Sequence, residues 1–463
     1  MQLQTIKKRR LLALLAIFYF IVRLPFLTNL PIFNDEAIYL DWGSRMLHGV
    51  VSPFYPLFDG KTPLLMWIFS IAGKLFSDPL LGGRLVSVLV GYLALWGIYK
   101  LALKLFDAKV ATLATLLYIA TPIIAFYDRQ ALMESSVGAI GIWLFYFLTE
   151  YLEKPKLKTA VILGLLAALG FYIKPSALIL LIPLFVILLL ERKDLLNGAF
   201  VFSLTFFAAL MPLLFHSNFV AIFSRSGRYI SVGISLKGIE IMFWQLFPTT
   251  FILAAAGVYL LFKKQRNLIL WTVLPLMTSI LMAKTVQPRY IVSFVPLLVI
   301  PAAYTLKLLR KPGILFLVLP FVATLFLIVE PYDYLNYLSK VTDTSEVKNY
   351  YLDWTSGDGI NKVREFLQEK AKTGPILVGV RVDAGNPESA MFAYYGSGKN
   401  KNITVMYFDS RLVPSGVKNL NFPYPLYFIS RGSQLAGMEK YLVERDRLYN
   451  KGGNFIGIYE FKK

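Results

Sequence analysis

The sequence predicts a polytopic α-helical membrane protein that ends in a smaller external α/β domain. Hydrophobic residues form 56% of the 463-residue chain and charged residues only 16%, whereas soluble proteins carry about 25% charged residues. The apolar residues are concentrated before residue 330, and the remainder of the chain has ordinary polarity. We therefore divide the chain into a transmembrane domain, residues 1–330, and an external soluble domain, residues 331–463.

The transmembrane domain contains about eleven apolar runs, each close to the roughly 20 residues that cross a bilayer. They lie near residues 11–27, 82–104, 110–126, 132–150, 159–173, 175–190, 196–215, 241–262, 267–283, 290–307 and 313–329. Basic residues precede the first run, but no small-residue cleavage site follows it. We therefore expect the first span to be an anchor rather than a removed signal peptide.

The distribution of positive charge predicts the orientation in the membrane. Six short connections carry 18 lysines and arginines, and the positive-inside rule makes these connections cytoplasmic. The N-terminus is then cytoplasmic and the C-terminal domain external. Residues 1–330 hold 30 basic and 14 acidic residues and the tail holds 18 and 14, so most of the net charge of +20 reflects topology. The charge therefore gives no reason to expect a nucleic-acid partner.

Cysteine and histidine usage narrows the chemistry. The chain has no cysteine and only two histidines, His48 and His216. These counts exclude disulfides, thiol nucleophiles and cysteine-ligated metals, and they leave little for a histidine metal centre. A metal bound through cysteine or histidine is therefore not expected.

The segment between the first two spans is about 54 residues long, which is longer than a simple connecting loop. It begins with Asp35 and Glu36, and residues 36–48 suit an amphipathic surface helix. Residues 64–76 are apolar but too short to span, which predicts an interfacial or re-entrant helix. Lys61 precedes Pro63, a residue that favours the start of a helix. This lysine is therefore expected beside the N-terminal end of that helix.

Further charges lie at the predicted outer ends of the spans. The second external loop holds Asp128 and Arg129 and is followed by Glu134. Charged groups at such positions are costly to dehydrate, which favours a functional role. Carboxylates can act as general bases and cations can hold a phosphate. Solvation is the preferred explanation only for Arg225, Arg228 and Lys237, whereas Lys174-Pro175 fits a helix break and a functional site equally well.

In this order the residues resemble the GT-C membrane glycosyltransferases, in the branch of protein O-mannosyltransferases and the lipid A aminoarabinose transferase. The resemblance covers essentially the whole membrane part. Its components are Asp35-Glu36, Gly49, Lys61-Thr62-Pro63-Leu64, Arg84, Tyr127-Asp128-Arg129, Lys284 and Pro288-Arg289-Tyr290 with Pro296. Thr62 stands where the family has proline, which leaves the shape of that loop open.

The resemblance implies inverting, metal-independent transfer of a sugar from a polyprenyl-phosphate carrier, undecaprenyl or dolichyl phosphate, to a hydroxyl acceptor on the outer face. The resemblance also implies no metal and no cofactor, and it leaves open whether the acceptor is a protein, a lipid or a glycan. Asp35 would be the general base, with Asp128 as the second catalytic residue. The implied contacts to acceptor or sugar are Glu36, Arg129 and Tyr39, and those to the carrier phosphate are Lys61, Lys284, Arg289, Tyr290 and Arg84. For Tyr39 an interfacial aromatic belt is the alternative.

The tail alternates helical and extended patterns, which predicts a small α/β unit with an open or three-layer sheet. Helices are expected at residues 359–371 and 435–445 and strands at 376–380, 403–408, 426–429 and 455–461. Nothing in the tail suggests catalysis, so we expect it to recognise the acceptor.

Two other classes of protein fit parts of the sequence. A transporter or flippase of a lipid-linked or small substrate would explain the many spans, but transporters place charges near the midplane and show paired halves. Here the charges gather at one face and no two halves match. A non-catalytic scaffold would explain the tail but not the acidic loop ends.

Overall fold

The computed structural model describes residues 2–462 except 192–195, 228–230, 232, 234–236, 284–286, 310–312, 343–346, 397–399 and 410–421. The side chains of residues 2–9, 196 and 226 also lie outside the description. Within these limits the chain is mostly helical and ends in a small sheet, as the sequence predicts.

Every predicted span coincides with a helix or a broken helix. The helices of this part are α1 (Gln2–Arg23), α2 (Asn34–Leu47), α3 (Leu64–Leu75), α4 (Pro79–Leu105), α5 (Ala108–Ala120), α6 (Pro122–Asp128), α7 (Glu134–Glu153), α8 (Leu157–Ile173), α9 (Leu181–Glu191), α10 (Leu196–Leu214), α11 (Phe219–Ser226), α12 (Lys237–Gln245), α13 (Pro248–Leu261), α14 (Arg266–Met282), α15 (Pro288–Ile291), α16 (Val299–Leu309) and α17 (Ile314–Val329). The two predicted surface helices correspond to α2 and α3.

Among the described residues, four helices are long and apolar enough to cross a membrane, or six if each bent pair forms one span. The bent pairs are α5 with α6, at 68°, and α12 with α13, at 116°. Pro122 and Pro248 begin the second helix of each pair, because proline lacks the N–H that a continuous helix requires. Several predicted spans are helices of 10–17 residues, and the count of eleven stays a prediction.

The chain forms two compact units. The first contains Met1–Leu27, Phe54–Leu64 and Arg84–Tyr334, and the second contains Thr28–Pro53, Leu65–Gly83 and Leu335–Lys463. Helix α2 and most of α3 therefore belong to the same unit as the tail. The sequence-based boundary at residue 330 describes a change of polarity along the chain, and as a domain boundary it stays a prediction.

The tail folds around a five-stranded sheet. After α18 (Pro331–Val341) come α19 (Ile360–Ala371), β1 (Ile376–Arg381), α20 (Glu388–Tyr395), β2 (Ile403–Phe408), β3 (Leu426–Arg431), β4 (Leu442–Tyr449) and β5 (Phe455–Phe461). The strand order is β2-β1-β3-β5-β4. Strands β2 and β3 pair with β1 in parallel, and β5 joins β3 and β4 in antiparallel fashion. The four predicted strands and the helix at 359–371 are confirmed.

The helix predicted at residues 435–445 is wrong. The chain forms a single 3-10 turn, Glu439–Tyr441, and then strand β4. Strand β4 lies at the edge of the sheet, and Arg445 reaches Glu460 of β5 at 2.7 Å. An edge strand tolerates charged residues on both faces. The resulting run of charged residues resembles the exposed side of a helix, which is why the sequence was interpreted as helical. Helix α20, which connects β1 to β2, was not predicted from the sequence.

Candidate active site

Buried arginines surround the C-terminal end of α1. Arg129 donates to the carbonyl oxygens of Arg23 and Phe26 at 2.5 and 2.9 Å, and Arg84 donates to that of Leu27 at 2.8 Å. The last carbonyls of a helix lack partners within the helix, so Arg129 completes the end of α1 at Arg23, and the bonds to Phe26 and Leu27 hold the chain just beyond it. Burial, with Arg23 and Arg84 nearby, lowers the pKa of Arg129 to about 9. Arg129 and Arg84 thus hold the chain as it leaves the first span.

Asp128 lies at the centre of a buried polar cluster and is only 1% exposed. Its Oδ1 accepts hydrogen bonds from the hydroxyls of Ser135 at 3.0 Å and Tyr118 at 3.3 Å. Its Oδ2 lies 3.4 Å from Nε of Arg23 and 3.3 Å from the hydroxyl of Tyr19. Both oxygens are therefore satisfied by protein groups, as expected of a carboxylate that fixes its neighbours.

Gly91 of α4 packs directly against this cluster. A Cβ atom at this position would lie 2.3 Å from the Tyr19 hydroxyl oxygen and 2.6 Å from Cγ of Asp128. These separations are shorter than any normal non-bonded contact. Glycine is therefore required for α4 to approach the aspartate.

A second ion cluster forms at the start of α7. Glu134 is fully buried, and its Oε1 lies 2.8 Å from Nζ of Lys174 and 3.3 Å from Nε of Arg289. Among the described residues, these two cations and one carboxylate sum to a net charge of +1. Because Lys174 and Arg289 are 20% and 15% exposed, this positive charge reaches the surface of the first unit. Such a centre attracts an anion.

Lys61 lies on a tight turn of the first unit. The preceding Gly60 is in the left-handed region, with φ of 78°, and Lys61 forms an ion pair with Asp59. A Cβ atom at Gly60 would lie 2.7 Å from Cβ of Arg225. The structure therefore brings Arg225 of α11 beside the lysine turn, whereas the sequence favoured a solvated loop charge.

Helix α2 carries Asp35, Glu36 and Tyr39, all within the second unit. Asp35 is half-buried in the first turn, whereas Glu36 is fully buried and Tyr39 only 3% exposed. The Glu36 carboxylate accepts the backbone N–H of Phe33 at 3.0 Å, which is the second half of a capping box. The Phe33 ring stacks on Tyr350 of the tail, with centroids 4.1 Å apart. Glu36 therefore fixes the start of the helix that carries Asp35.

The tail holds the peptide just before Asp35. The side-chain amide of Asn386 donates to the carbonyl of Ile32 at 2.9 Å, and its backbone N–H donates to Oδ1 of Asn34 at 2.8 Å. At Gly357, with φ of 75°, a Cβ atom would lie 1.9 Å from the Ile32 carbonyl oxygen. These contacts join the tail to the residues that lead into α2.

The structure groups some of the predicted site residues. Arg84, Asp128 and Arg129 meet at the end of α1. Arg289 joins Glu134, and the adjacent Tyr290 is half-buried in α15. Lys284 lies outside the described residues. Their roles in catalysis or binding stay predictions.

Three partners were missed in the sequence. Arg23 was counted within the first span, Glu134 was noted without a role, and Arg225 was assigned to solvent. For Arg23 and Glu134 the available signal was a charge at the end of an apolar run. Arg225 had no such signal, because its place depends on a contact with Gly60. Within the described part of the chain, no three Asp, Glu or His side chains form a metal-binding group.

These features define a class of protein: a helical membrane protein with cationic clusters at its helix ends and an α/β tail. Residues 60–216 match the family model of dolichyl-phosphate-mannose-protein mannosyltransferase. The resemblance read from the sequence is thereby confirmed. No curated protein sequence matches the chain significantly.

Solved structures of two transferases share this fold. ArnT from Cupriavidus metallidurans bound to undecaprenyl phosphate is 14% identical, with a TM-score of 0.61 and 98% of each chain covered, and its apo state gives 0.62. The Archaeoglobus fulgidus oligosaccharyltransferase complex with Zn and sulfate is 15% identical, with a TM-score of 0.54, covering 96% of this chain and 72% of that one. At these identities the similarity concerns the fold.

Proposed function

We propose that the protein is a glycosyltransferase that moves a sugar from a polyprenyl-phosphate carrier to a hydroxyl acceptor on the outer face of the membrane. The observation that carries the proposal is the cluster in which Lys174 and Arg289 share the buried carboxylate of Glu134. The family match over residues 60–216 and the undecaprenyl phosphate bound by ArnT support this class of donor.

In the proposed reaction, Asp35 accepts the proton of the acceptor hydroxyl. The acceptor oxygen forms a bond to the anomeric carbon as the bond from that carbon to the phosphate oxygen breaks, with inversion. The carrier phosphate leaves with the bonding electrons, and Asp35 later releases its proton to water. A positioned base of this kind contributes about 10²–10⁴-fold to the rate.

Negative charge develops on the phosphate as it leaves, and fixed cations stabilise it. We assign this role to Arg289 and Lys174 in one group and to Lys61 and Arg225 in another. Glu134 orients the first pair. Lys284 and Tyr290 remain candidates for carrier binding, on the resemblance alone.

The contacts of the other predicted residues favour positioning roles. Arg84 and Arg129 bind backbone carbonyls, and Asp128 accepts hydrogen bonds from the interior. Glu36 binds the backbone at the start of α2. We therefore propose that these four residues hold the segment between α1 and α2 in place, and that Asp35 acts on substrate.

Metal independence is part of the proposal, because lysine and arginine side chains supply the positive charge. The archaeal oligosaccharyltransferase structure contains Zn, so the point needs its own measurement. Activity that survives dialysis against EDTA would support the proposal. Activity that is lost and then restored by a divalent cation would contradict it.

The proposed base is tested with Asp35→Asn in purified protein supplied with a polyprenyl-phosphate sugar. Transfer should fall by at least about 10²-fold, while expression, membrane insertion and carrier binding stay normal. Asp333→Asn replaces an exposed aspartate and should behave as wild type. An Asp35→Asn enzyme with near-wild-type turnover would remove this residue from the mechanism.

The phosphate sites are tested with Lys61→Ala and Arg289→Ala. Each should raise the Kd for polyprenyl phosphate by about tenfold or more, since a charge-assisted hydrogen bond contributes roughly 1.5–3 kcal/mol. Lys340→Ala, at an exposed lysine, is the control for loss of a positive charge. Carrier affinity that is unchanged in both variants would place the phosphate elsewhere.

A further inference from the structure

A cavity of about 450 Å³ opens at the carboxyl ends of the parallel strands in the tail. Arg381 ends β1, Phe408 and Asp409 end β2, and the loop after β3 contributes Gln434 and, further along, Glu439. The volume lies within the roughly 300–1,000 Å³ of small-molecule sites. The cavity includes none of the residues assigned to sugar transfer.

The topology of the sheet places this cavity where α/β folds bind ligands. Strands β2 and β3 lie on opposite sides of β1, and all three run in parallel. The connection that leaves β1 leads to β2 on one side, whereas the connection that leaves β3 leads to the other side of the sheet. A switch point of this kind leaves a crevice at the carboxyl ends of the strands. The cavity occupies this crevice.

The charges around the cavity disfavour an anion. Arg381 donates to Asp383 at 2.8 Å and to Glu388 at 3.2 Å. Arg431 pairs with the same two carboxylates, so the two positive and two negative charges balance one another. Among the described residues, the charged members of the lining are Arg381, Asp409 and Glu439, with a net charge of −1. A phosphate site needs converging cations or free backbone N–H groups. The described part of the lining therefore does not suit a phosphate.

The nearby N-terminus of α20 does not supply an anion site either. Glu388 occupies its first turn and is fully buried. The N–H of Gly385 donates to the hydroxyl of Ser389 at 3.1 Å. The glutamate is itself paired with Arg381 and Arg431, so this position already holds an anionic group with its counter-charges.

The remaining polar groups suit hydroxyl groups of a neutral ligand. Carboxylates accept hydrogen bonds, amides both donate and accept, and serine hydroxyls do both. Glu439, Gln434 and Ser433 supply these groups, and all three are exposed to solvent. Apolar residues, including Leu435, complete the lining and can cover the C–H face of a sugar ring.

The loop that forms one wall is held in place by the core. Gly432 donates its N–H to the carbonyl of Phe455 at 2.8 Å, and Met438 is fully buried in the core of the sheet. Between them, Ala436 adopts a φ of 56°, a left-handed conformation that costs a non-glycine residue free energy and is concentrated at ligand sites. The wall is therefore formed before any ligand arrives.

We propose that this cavity is a binding site for a neutral polyhydroxylated ligand, a short oligosaccharide. The site is non-catalytic and does not depend on the proposed transfer reaction. The hydroxyl groups of the ligand form hydrogen bonds with the carboxylate and amide groups of the lining. One face of a sugar ring packs against the apolar wall.

The test uses the full chain in lipid nanodiscs and isothermal titration calorimetry. The probes are mannotriose, maltotriose and chitotriose, with inorganic phosphate as the anionic comparison. At least one trisaccharide should bind saturably and phosphate should not. Gln434→Ala and Glu439→Gln should each raise its Kd about tenfold.

Glu365→Gln is the matched control, because Glu365 is an exposed glutamate of α19 outside the cavity lining. It should leave the Kd unchanged, and all three variants should keep the wild-type unfolding temperature. Binding of none of the trisaccharides would overturn the proposal. Binding that persists in both cavity variants, or saturable phosphate binding that competes with sugar, would overturn it as well.

Discussion

Asn386→Ala tests whether the tail positions the proposed catalytic base. Asn386 is 1% exposed, and its amide donates to the carbonyl of Ile32 at 2.9 Å. Ile32 is itself fully buried and precedes Asp35 by three residues. The substitution removes this donor and leaves the backbone hydrogen bond from residue 386 to Asn34 in place.

The expected loss follows from the burial of the acceptor. A buried carbonyl that loses its donor costs roughly 1–3 kcal/mol. If this free energy is lost from the positioning of Asp35 in the transition state, kcat falls by about 10- to 100-fold, since about 1.4 kcal/mol corresponds to tenfold. The KM for the carrier should change little, because the cations assigned to the phosphate are untouched.

Asn450→Ala is a matched control within the tail. The Asn450 amide donates to the carbonyls of Leu352 at 3.0 Å and Asp353 at 2.9 Å. Among the described residues its side-chain amide binds the backbone at 352 and 353 and not that of residues 32–35. It follows β4 on the turn that leads to β5. Its replacement should lower the unfolding temperature while kcat per folded molecule is retained.

The assay is steady-state sugar transfer by purified protein, with folded protein quantified by size-exclusion chromatography and thermal unfolding. If Asn386 positions Asp35, the fold-loss in kcat caused by Asn386→Ala should be larger than the fold-loss in the amount of folded protein. If Asn386→Ala and Asn450→Ala lose stability alike and keep the same kcat, the tether has only a structural role.

Two further predictions concern packing and pH. Gly91→Ala should destabilise the solubilised protein by about 1–3 kcal/mol through overpacking against Asp128. Gly227→Ala should not, because the described residues leave open space at that position. Equal unfolding temperatures of the two variants would contradict the packing argument. Burial raises the pKa of Asp41 from 3.8 to about 7 despite the nearby Arg45, so the folded state binds this proton more tightly than the unfolded chain. Stability should therefore fall as pH rises from about 4 to about 7. Asp41→Asn should flatten that part of a plot of unfolding temperature against pH, and an unaltered slope would exclude Asp41 as its source.

Much of the fold was predictable because its signals are local. Hydropathy and run length predict helices wherever about 20 apolar residues follow one another, and the strands of the tail are short apolar runs between polar turns. Strand β4 was missed for a related reason. The spacing of its charged residues is compatible with both an edge strand and a helix. Only the pairing with β5 shows that the segment is a strand.

The sequence by itself determined that this is a helical membrane protein with charges at its helix ends, because solvation of each segment depends on its own composition. It did not determine which charges meet. Arg23 and Asp128 are 105 residues apart in the chain, and Glu134 meets Arg289 across 155 residues. Those partnerships depend on how helices pack, so tertiary structure alone decided that Asp128 and Arg129 fix the end of α1 and that Asn386 holds the residues before Asp35.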